Sequence, residues 1–464
     1  MPTTTAIPAS LHGALNFQKN IEFWDETLRE GAERSSISPT LDDKLEVAQE
    51  LSRTGIRTIV VGIFPGVEQS LDLLSGLLDL QARGSLHSDM RFIVISHVGV
   101  TMGQTIAELY GLERSLANVW ILAIHSASDM QIKHLFPVIM KKDPDSRLDA
   151  AQWEQMSDQE RRRENLAWLA DFLPTLSQYR VGGFAVGLLD AFRADKNHLR
   201  DAVDVVRHAN IRHIRLVDTA GTCIPQQVDT YVGELIREFP EVDFYGHFHD
   251  DFGMATANAM LGLGLGLKGV DVSVGGFANR AGHPALAEVV MALHSLYGVE
   301  LPGFDYGNLC NLSRLVEHLY GLMECPTQSI TGVVTHSILS GIRTELLKKA
   351  PQIFDIIDPE FVGARLTKSF GVRSGRDGVL RFLKGHESTF GSRMRVDSES
   401  ADRVFDCLQK AWEERSVATT REMRELIARH HKLLTSMSFT EDEMLELVRK
   451  NFLVEEKLEA ANAS

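Results

Sequence analysis

Two stretches far apart in the chain have residue types that could together hold a divalent cation. They are Asp25-Glu26-Thr27-Leu28-Arg29-Glu30-Gly31 and His247-Phe248-His249-Asp250-Asp251. The two imidazoles stand at i and i+2, and alternate side chains of a strand leave the same face, so both rings can reach one ion from one strand end. The first stretch adds a carboxylate with an arginine beside it, a metal donor with a fixed positive charge next to it. Either stretch alone says little, since a His-x-His is usually two surface or core histidines. Their pairing predicts a metal site, provided the fold brings the two stretches to one place.

The elements that would do so are visible as short apolar runs alternating with amphipathic segments. The runs are Ile21–Leu28, Ile56–Gly62, Arg91–Val98, Val119–Ile124, Val181–Leu189, His213–Asp218, Val242–His249 and Val270–Gly276. Several, such as Phe92-Ile93-Val94-Ile95, are continuously apolar, as expected of parallel strands buried on both faces. Between them lie helical patterns such as Asp42–Arg53, Leu199–Ala209, Gln226–Glu238 and Pro284–Tyr297. Eight strand–helix units predict a (β/α)8 barrel, the TIM barrel. An open doubly wound sheet would place a Gly-rich fingerprint after its first strand; here the turn is Arg29-Glu30-Gly31. In a barrel the active site lies at the carboxyl ends of the strands. Arg29 and Glu30 then end strand one, Asp218-Thr219 strand six, and His247 and His249 strand seven. Ser96-His97 and His125-Ser126, at the ends of strands three and four, are expected to face the same mouth. Residues 305–345 and 398–461 read as helical, which makes the chain a barrel followed by a mainly helical C-terminal region.

Composition narrows the function classes. The 464 residues carry a net charge of −15, which argues against a nucleic-acid or anionic-membrane partner, because either needs a basic face. No apolar stretch approaches the roughly 20 residues of a membrane span. The first 20 residues show no signal-peptide pattern, so the cytoplasm is the expected compartment. The four cysteines have no CxxC or regular spacing and read as free thiols.

The motifs resemble those of a known superfamily. Asp25-Glu-Thr-Leu-Arg29-Glu30-Gly31, Asp218-Thr-Ala-Gly221, His247-x-His249-x-Asp251-x-Gly253 and Asn279-Arg280-Ala-Gly282 are similar to those of the metal-dependent TIM-barrel acyltransferases and lyases. That group includes homocitrate synthase, 2-isopropylmalate synthase, citramalate synthase and HMG-CoA lyase. Ser340-Gly341-Ile342, Phe354–Pro359 and Ser374–Val379 resemble the post-barrel region of the condensing branch. The resemblance implies an acyltransferase that joins an acyl-CoA to a 2-oxo acid in a Claisen condensation, working as a homodimer. It implies a divalent metal (Zn, Mn, Mg or Fe(II)) held by Glu30, His247 and His249. Arg29 would stabilise the developing alkoxide, and Thr219 would bind the 2-oxo acid carboxylate. The chain would then divide into an N-terminal extension (1–19), a catalytic barrel (20–300), a post-barrel crossover region (301–390) and a helical C-terminal subdomain (391–464).

Several departures shape the expectation. Leu188-Leu189-Asp190 stands where homocitrate synthases have Ser-Glu-Asp, so Leu189 implies a more apolar substrate pocket. The family's Gly-Ile-His appears as Gly341-Ile342-Arg343, and an arginine is a poor general base. His336 could substitute for that histidine. Glu33 replaces a glutamine. His283 stands where many relatives have a metal-coordinating asparagine, and could be a third imidazole ligand. Two other readings stay open: a metal-dependent carbon–carbon lyase or aldolase, and a catalytically silent relative that binds a metabolite.

Overall fold

The apolar runs form eight strands: β1 (Glu22–Asp25), β2 (Thr58–Ile63), β3 (Arg91–His97), β4 (Val119–Ser126), β5 (Gly183–Leu189), β6 (His213–Asp218), β7 (Asp243–Phe248) and β8 (Gly269–Val272). All pair in parallel in chain order. β8 returns to β1 from Glu22↔Gly269 to Asp25↔Val272, which closes the barrel. The structure, a computed structural model, describes residues 15–33, 39–65, 68–141, 150–322, 325–338, 356–436 and 439–451. They fall into two compact units. One holds the described parts of 1–33, 39–337 and 351–367, the other those of 338–350 and 368–464. Among the described residues no helix is long and apolar enough to cross a membrane.

Helices follow the strands and cover the barrel, each burying one stripe. Lys196–His208 is typical. Asp195 caps it by accepting from the backbone N–H of Asn197 and His198, and it buries His198, Leu199, Ala202, Val203 and Val206. Inside the barrel the alternate strand residues Trp24, Val60, Ile93, Ile95, Leu122, Ile124, Ala185 and Tyr245 form a packed core. Below them, at the amino ends of the strands, Glu22 pairs with Arg91 and accepts from the Tyr245 hydroxyl at 3.2 Å. The barrel is therefore plugged at one end and has its functional groups at the other.

Four expectations are corrected by the backbone. β1 stops at Asp25 rather than Leu28, because the N–H groups of Arg29 and Gly31 both turn back onto the Glu26 carbonyl, at 3.1 and 3.0 Å. β8 stops at Val272, since Gly275 and Gly276 take φ of 62° and 73° in a tight turn. Among the described residues of 305–345, only Tyr306–Asn308 and Leu309–Tyr320 are helical. Gly321, with φ 61°, ends that helix, and the described residues 325–336 run as turns before a two-residue strand, Ser337–Ile338.

The fourth concerns which side chains reach the mouth. On β4 the inward residues are Leu122, Ile124 and hence Ser126, so His125 points outward between barrel and helices, against Phe136. Ser96 is outward by the same alternation and bonds Thr105 at 2.9 Å. His125 and His198 are both buried, and Nε2 of the first and both ring nitrogens of the second lack a hydrogen-bond partner among the described residues. Burial lowers both imidazoles to about 4, with Arg162 adding to the effect on His198. An unfolded chain protonates these rings near the ordinary value of about 6.5. Between pH 6.5 and 4 the unfolded state thus binds more protons, and stability falls as pH falls; above that window the two rings add no pH dependence. The cost is on the order of 3 kcal/mol per ring at the acid end. In chelator-treated protein, melting temperature followed from pH 7.5 to 4.5 should therefore drop less in a His125→Asn variant than in the wild type. Equal slopes would contradict this.

The second unit is helical. Gly375–Gly385 packs on the start of the long helix Ser398–Ser436 through Val379, Leu383, Ala401 and Phe405, with Arg376 paired to Asp402 and Asp406.

Candidate metal centre and barrel mouth

The turn after β1 and the end of β7 meet as expected. Glu30, His247, His249 and His283 are all buried, and their ligand atoms lie within 4.8 Å of one another. His247 lies in β7 and His249 directly follows the strand, both on the inward face. His283 arrives from the loop after β8, where Gly282, with φ 111°, reverses the chain. The Gly282 carbonyl accepts from Asp250 at 2.9 Å, and His283 N–H bonds the Gly276 carbonyl at 3.0 Å. Arg280 pins the same loop: it is bidentate to Asp251 at 2.9 and 3.0 Å and donates to the Thr219 carbonyl at 2.9 Å. The loops after β6, β7 and β8 are thereby tied together.

The four residues fit a metal ion. Ligands bound about 2.1 Å from a tetrahedral first-row metal stand roughly 3.4 Å apart. Here His247 Nε2 and His249 Nε2 are 3.2 Å apart, His247 Nε2 and Glu30 Oε2 3.8 Å, and His249 Nε2 and Glu30 Oε1 3.7 Å. His283 Nε2 faces Glu30 Oε2 closely but without hydrogen-bond geometry, which leaves two buried polar atoms aimed at each other. Burial, reinforced by the neighbouring histidines, takes His247 well below the ordinary imidazole range and His249 to about 2, so both rings are neutral and offer lone pairs. Burial pushes Glu30 up, but His283, Arg29 and His247 outweigh it and hold the carboxyl well below its usual range.

Arg29 lies beside this cluster, its NH1 3.1 Å from Glu30, with Glu26 at 3.7 Å and Glu33 at 3.4 Å from its NH1 and Nε. Burial works against its charge, yet the three carboxylates raise it further above the ordinary value, so it stays cationic. Glu33 is at the rim, 42% exposed, and outside the four-residue cluster.

Across the mouth, Leu189 packs on the barrel core, and Ser126 Oγ is buried without a partner among the described residues. His97 ends β3 in the inward phase of Ile93 and Ile95. Thr219 Oγ1 accepts the Asp190 backbone N–H at 2.9 Å, which leaves its own hydroxyl proton to be donated elsewhere. His336 Nε2 bonds the carbonyl of Ile330 at 2.8 Å, and no described interaction joins it to the cluster. Arg343 lies outside the described residues.

Three buried charged residues escaped the sequence reading: Glu26, Arg215 and Asp271. Glu26 was inside a quoted motif, hidden beside more familiar neighbours. Arg215 and Asp271 each interrupt an apolar strand at an inward position. A charge there is rarely buried unless paired, and that was the available signal.

A closed parallel barrel with buried imidazoles and a carboxylate at its carboxyl mouth is the architecture of a metal-dependent barrel enzyme. The chain belongs to the HMGL-like family, which matches residues 20–316, well over half its length. It is 29% identical over 361 residues to homocitrate synthase AksA of Methanopyrus kandleri, covering 78% of this chain and 81% of that one. It is 28% identical over 404 residues to homocitrate synthase 1 of Nostoc sp., covering 87% and 96%. A probable 2-isopropylmalate synthase of M. kandleri is 28% identical over 365 residues, 78% of this chain but 65% of its own length. Among solved structures, an HMG-CoA lyase from Acinetobacter baumannii superposes with a TM-score of 0.50 at 18% identity, over 67% of this chain and 94% of that one, a likeness of fold.

Proposed function

We propose that the protein is a metal-dependent acyltransferase that condenses an acyl-CoA with a 2-oxo acid. The observation that carries this reading is the buried Glu30–His247–His249–His283 cluster beside the cationic Arg29, in a chain whose relatives are homocitrate and isopropylmalate synthases. When bound, a divalent ion supplies Lewis-acid polarisation of the 2-oxo acid. The residues do the rest. Arg29 holds its guanidinium beside the site where the ketone oxygen becomes an alkoxide. Thr219 donates its free hydroxyl proton to the substrate carboxylate. The α-carbon of the acyl thioester loses a proton and attacks the ketone carbon; water then cleaves the thioester and CoA leaves as a thiol. The proposed proton acceptor is His336, a few residues before the Arg343 that replaces the family's histidine. A homodimer in the cytoplasm is the working form this reading expects.

The far wall supports a substrate class. The inward positions at the ends of β2 to β5 are Ile63, His97, Ser126 and Leu189, none of them a permanent cation. A second carboxylate on the 2-oxo acid would be buried there without a partner, at a cost of several kcal/mol. Short, uncharged side chains fit instead. CoA release from a matrix of acyl-CoAs and 2-oxo acids, with the metal varied, tests both points. Release should need both substrates and a metal, and 2-oxo acids with short apolar side chains should exceed 2-oxoglutarate by at least about 100-fold in kcat/KM. Silence across the matrix from metal-loaded protein would sink the condensing reaction. The second reading, a carbon–carbon lyase on the same cluster, is favoured by Arg343 in place of the family's histidine. It predicts metal-dependent cleavage of a 2-hydroxy acid or its thioester.

A further inference from the structure

Beneath the metal cluster lies a second set of buried charges. Arg215 NH1 on β6 donates to Glu26 Oε1 at 2.8 Å and to Asp271 Oδ2 at 2.6 Å. The same Asp271 oxygen is 2.6 Å from His247 Nδ1. Glu26 in turn reaches Arg29 through its other oxygen. The contacts run Asp271–Arg215–Glu26–Arg29–Glu30 and meet the cluster at both ends, through His247 and through Glu30. All of these side chains are at most 11% exposed.

Glu26, His247 and Asp271 themselves lie close enough to hold an ion. That place is already filled, because the Arg215 guanidinium sits on both carboxylates. The arrangement serves His247 instead. With Asp271 accepting from Nδ1–H, the ring is held in the tautomer whose Nε2 lone pair faces His249 and Glu30. A carboxylate in this position also makes the ring a stronger donor. Arg215 holds Asp271 in place, its NH1 lying 2.6 Å from the same oxygen that faces His247.

We infer that Asp271 and Arg215 are positioning residues that set the metal affinity of His247, and that Glu26 extends the same set to Arg29. This rests on the metal reading of the four-residue cluster. The test is chelator-competition titration of Co(II) and Zn(II) into the full-length protein, with the visible Co(II) spectrum recorded. Asp271→Asn should weaken both ions ~10–100-fold and shift the Co(II) bands. Glu22→Gln, which disturbs a charge pair at the closed end of the barrel, should lower the melting temperature and leave affinity and spectrum unchanged. Folded Asp271→Asn with wild-type affinity and spectrum would overturn the inference. Should that variant fail to fold, Arg215→Lys, which keeps the charge but ends short of the NH1 position that bridges both carboxylates, decides: a several-fold loss supports the inference, and none rejects it. A wild-type chain that takes up neither ion would refute the metal reading itself, a result distinct from both.

Discussion

His249→Ala is expected to leave a folded barrel that no longer retains a divalent ion. The ring is 5% exposed, its Nε2 is 3.2 Å from that of His247, and its Nδ1 makes no hydrogen bond among the described residues. It therefore contributes little to the fold beyond filling space, and most of what it supplies is a lone pair. Losing a direct ligand should exceed the ~10–100-fold affinity loss typical of a group one step removed. After dialysis, metal content by mass spectrometry should fall from near one ion per chain to a small fraction, and turnover should fall with it. The same measurement on wild-type protein speaks to the metal's identity. Three imidazoles and one carboxylate favour Zn, Mn or Fe(II) over magnesium, which prefers oxygen donors and keeps its waters. Protein that binds magnesium alone would count against His283 as a ligand. Full metal content in His249→Ala would remove the cluster from consideration as the metal centre.

How the barrel was legible, and how the site was only half so, has a physical basis. Buried parallel strands must be apolar on both faces, so runs such as Phe92–Ile95 announce themselves, and eight of them leave few folds. Ligands that share a strand end are likewise visible, because i, i+2 spacing survives any error in strand boundaries; β7 places His247 and His249 as that spacing requires. His283 was reachable only through resemblance, since its approach depends on the left-handed turn at Gly282 and a carbonyl contact back to Asp250. Strand phase was the weak point. His125 and Ser126 are adjacent at the end of one strand, and pleating sends one to the helix layer and the other to the mouth. From the sequence both are expected at the mouth, because the end of a strand is visible there while its phase is not. Arg215 and Asp271 show the converse: inward charges in apolar strands, unremarked because no motif contained them, yet joined directly to His247 of the candidate cluster.

Arg29→Lys should separate charge from shape at the reacting end of the site. Arg29 is 11% exposed on its side chain and touches Glu26, Glu30 and Glu33 at once, which a planar five-donor guanidinium can do. Lysine keeps the positive charge, so the carboxylates remain compensated and the fold and metal affinity should hold within about threefold. Its side chain is shorter and has no planar fork, so its ammonium cannot stay on Glu30 and also place an N–H where the guanidinium meets the mouth. Removing one donor aimed at a developing oxyanion typically lowers kcat ~10²–10³-fold. Since that charge exists only in the transition state, KM for the 2-oxo acid should change little. The reading fails if Arg29→Lys turns over at the wild-type rate. A raised KM with kcat intact would instead make Arg29 a substrate-binding cation, and the alkoxide would then need another partner among the groups at the mouth.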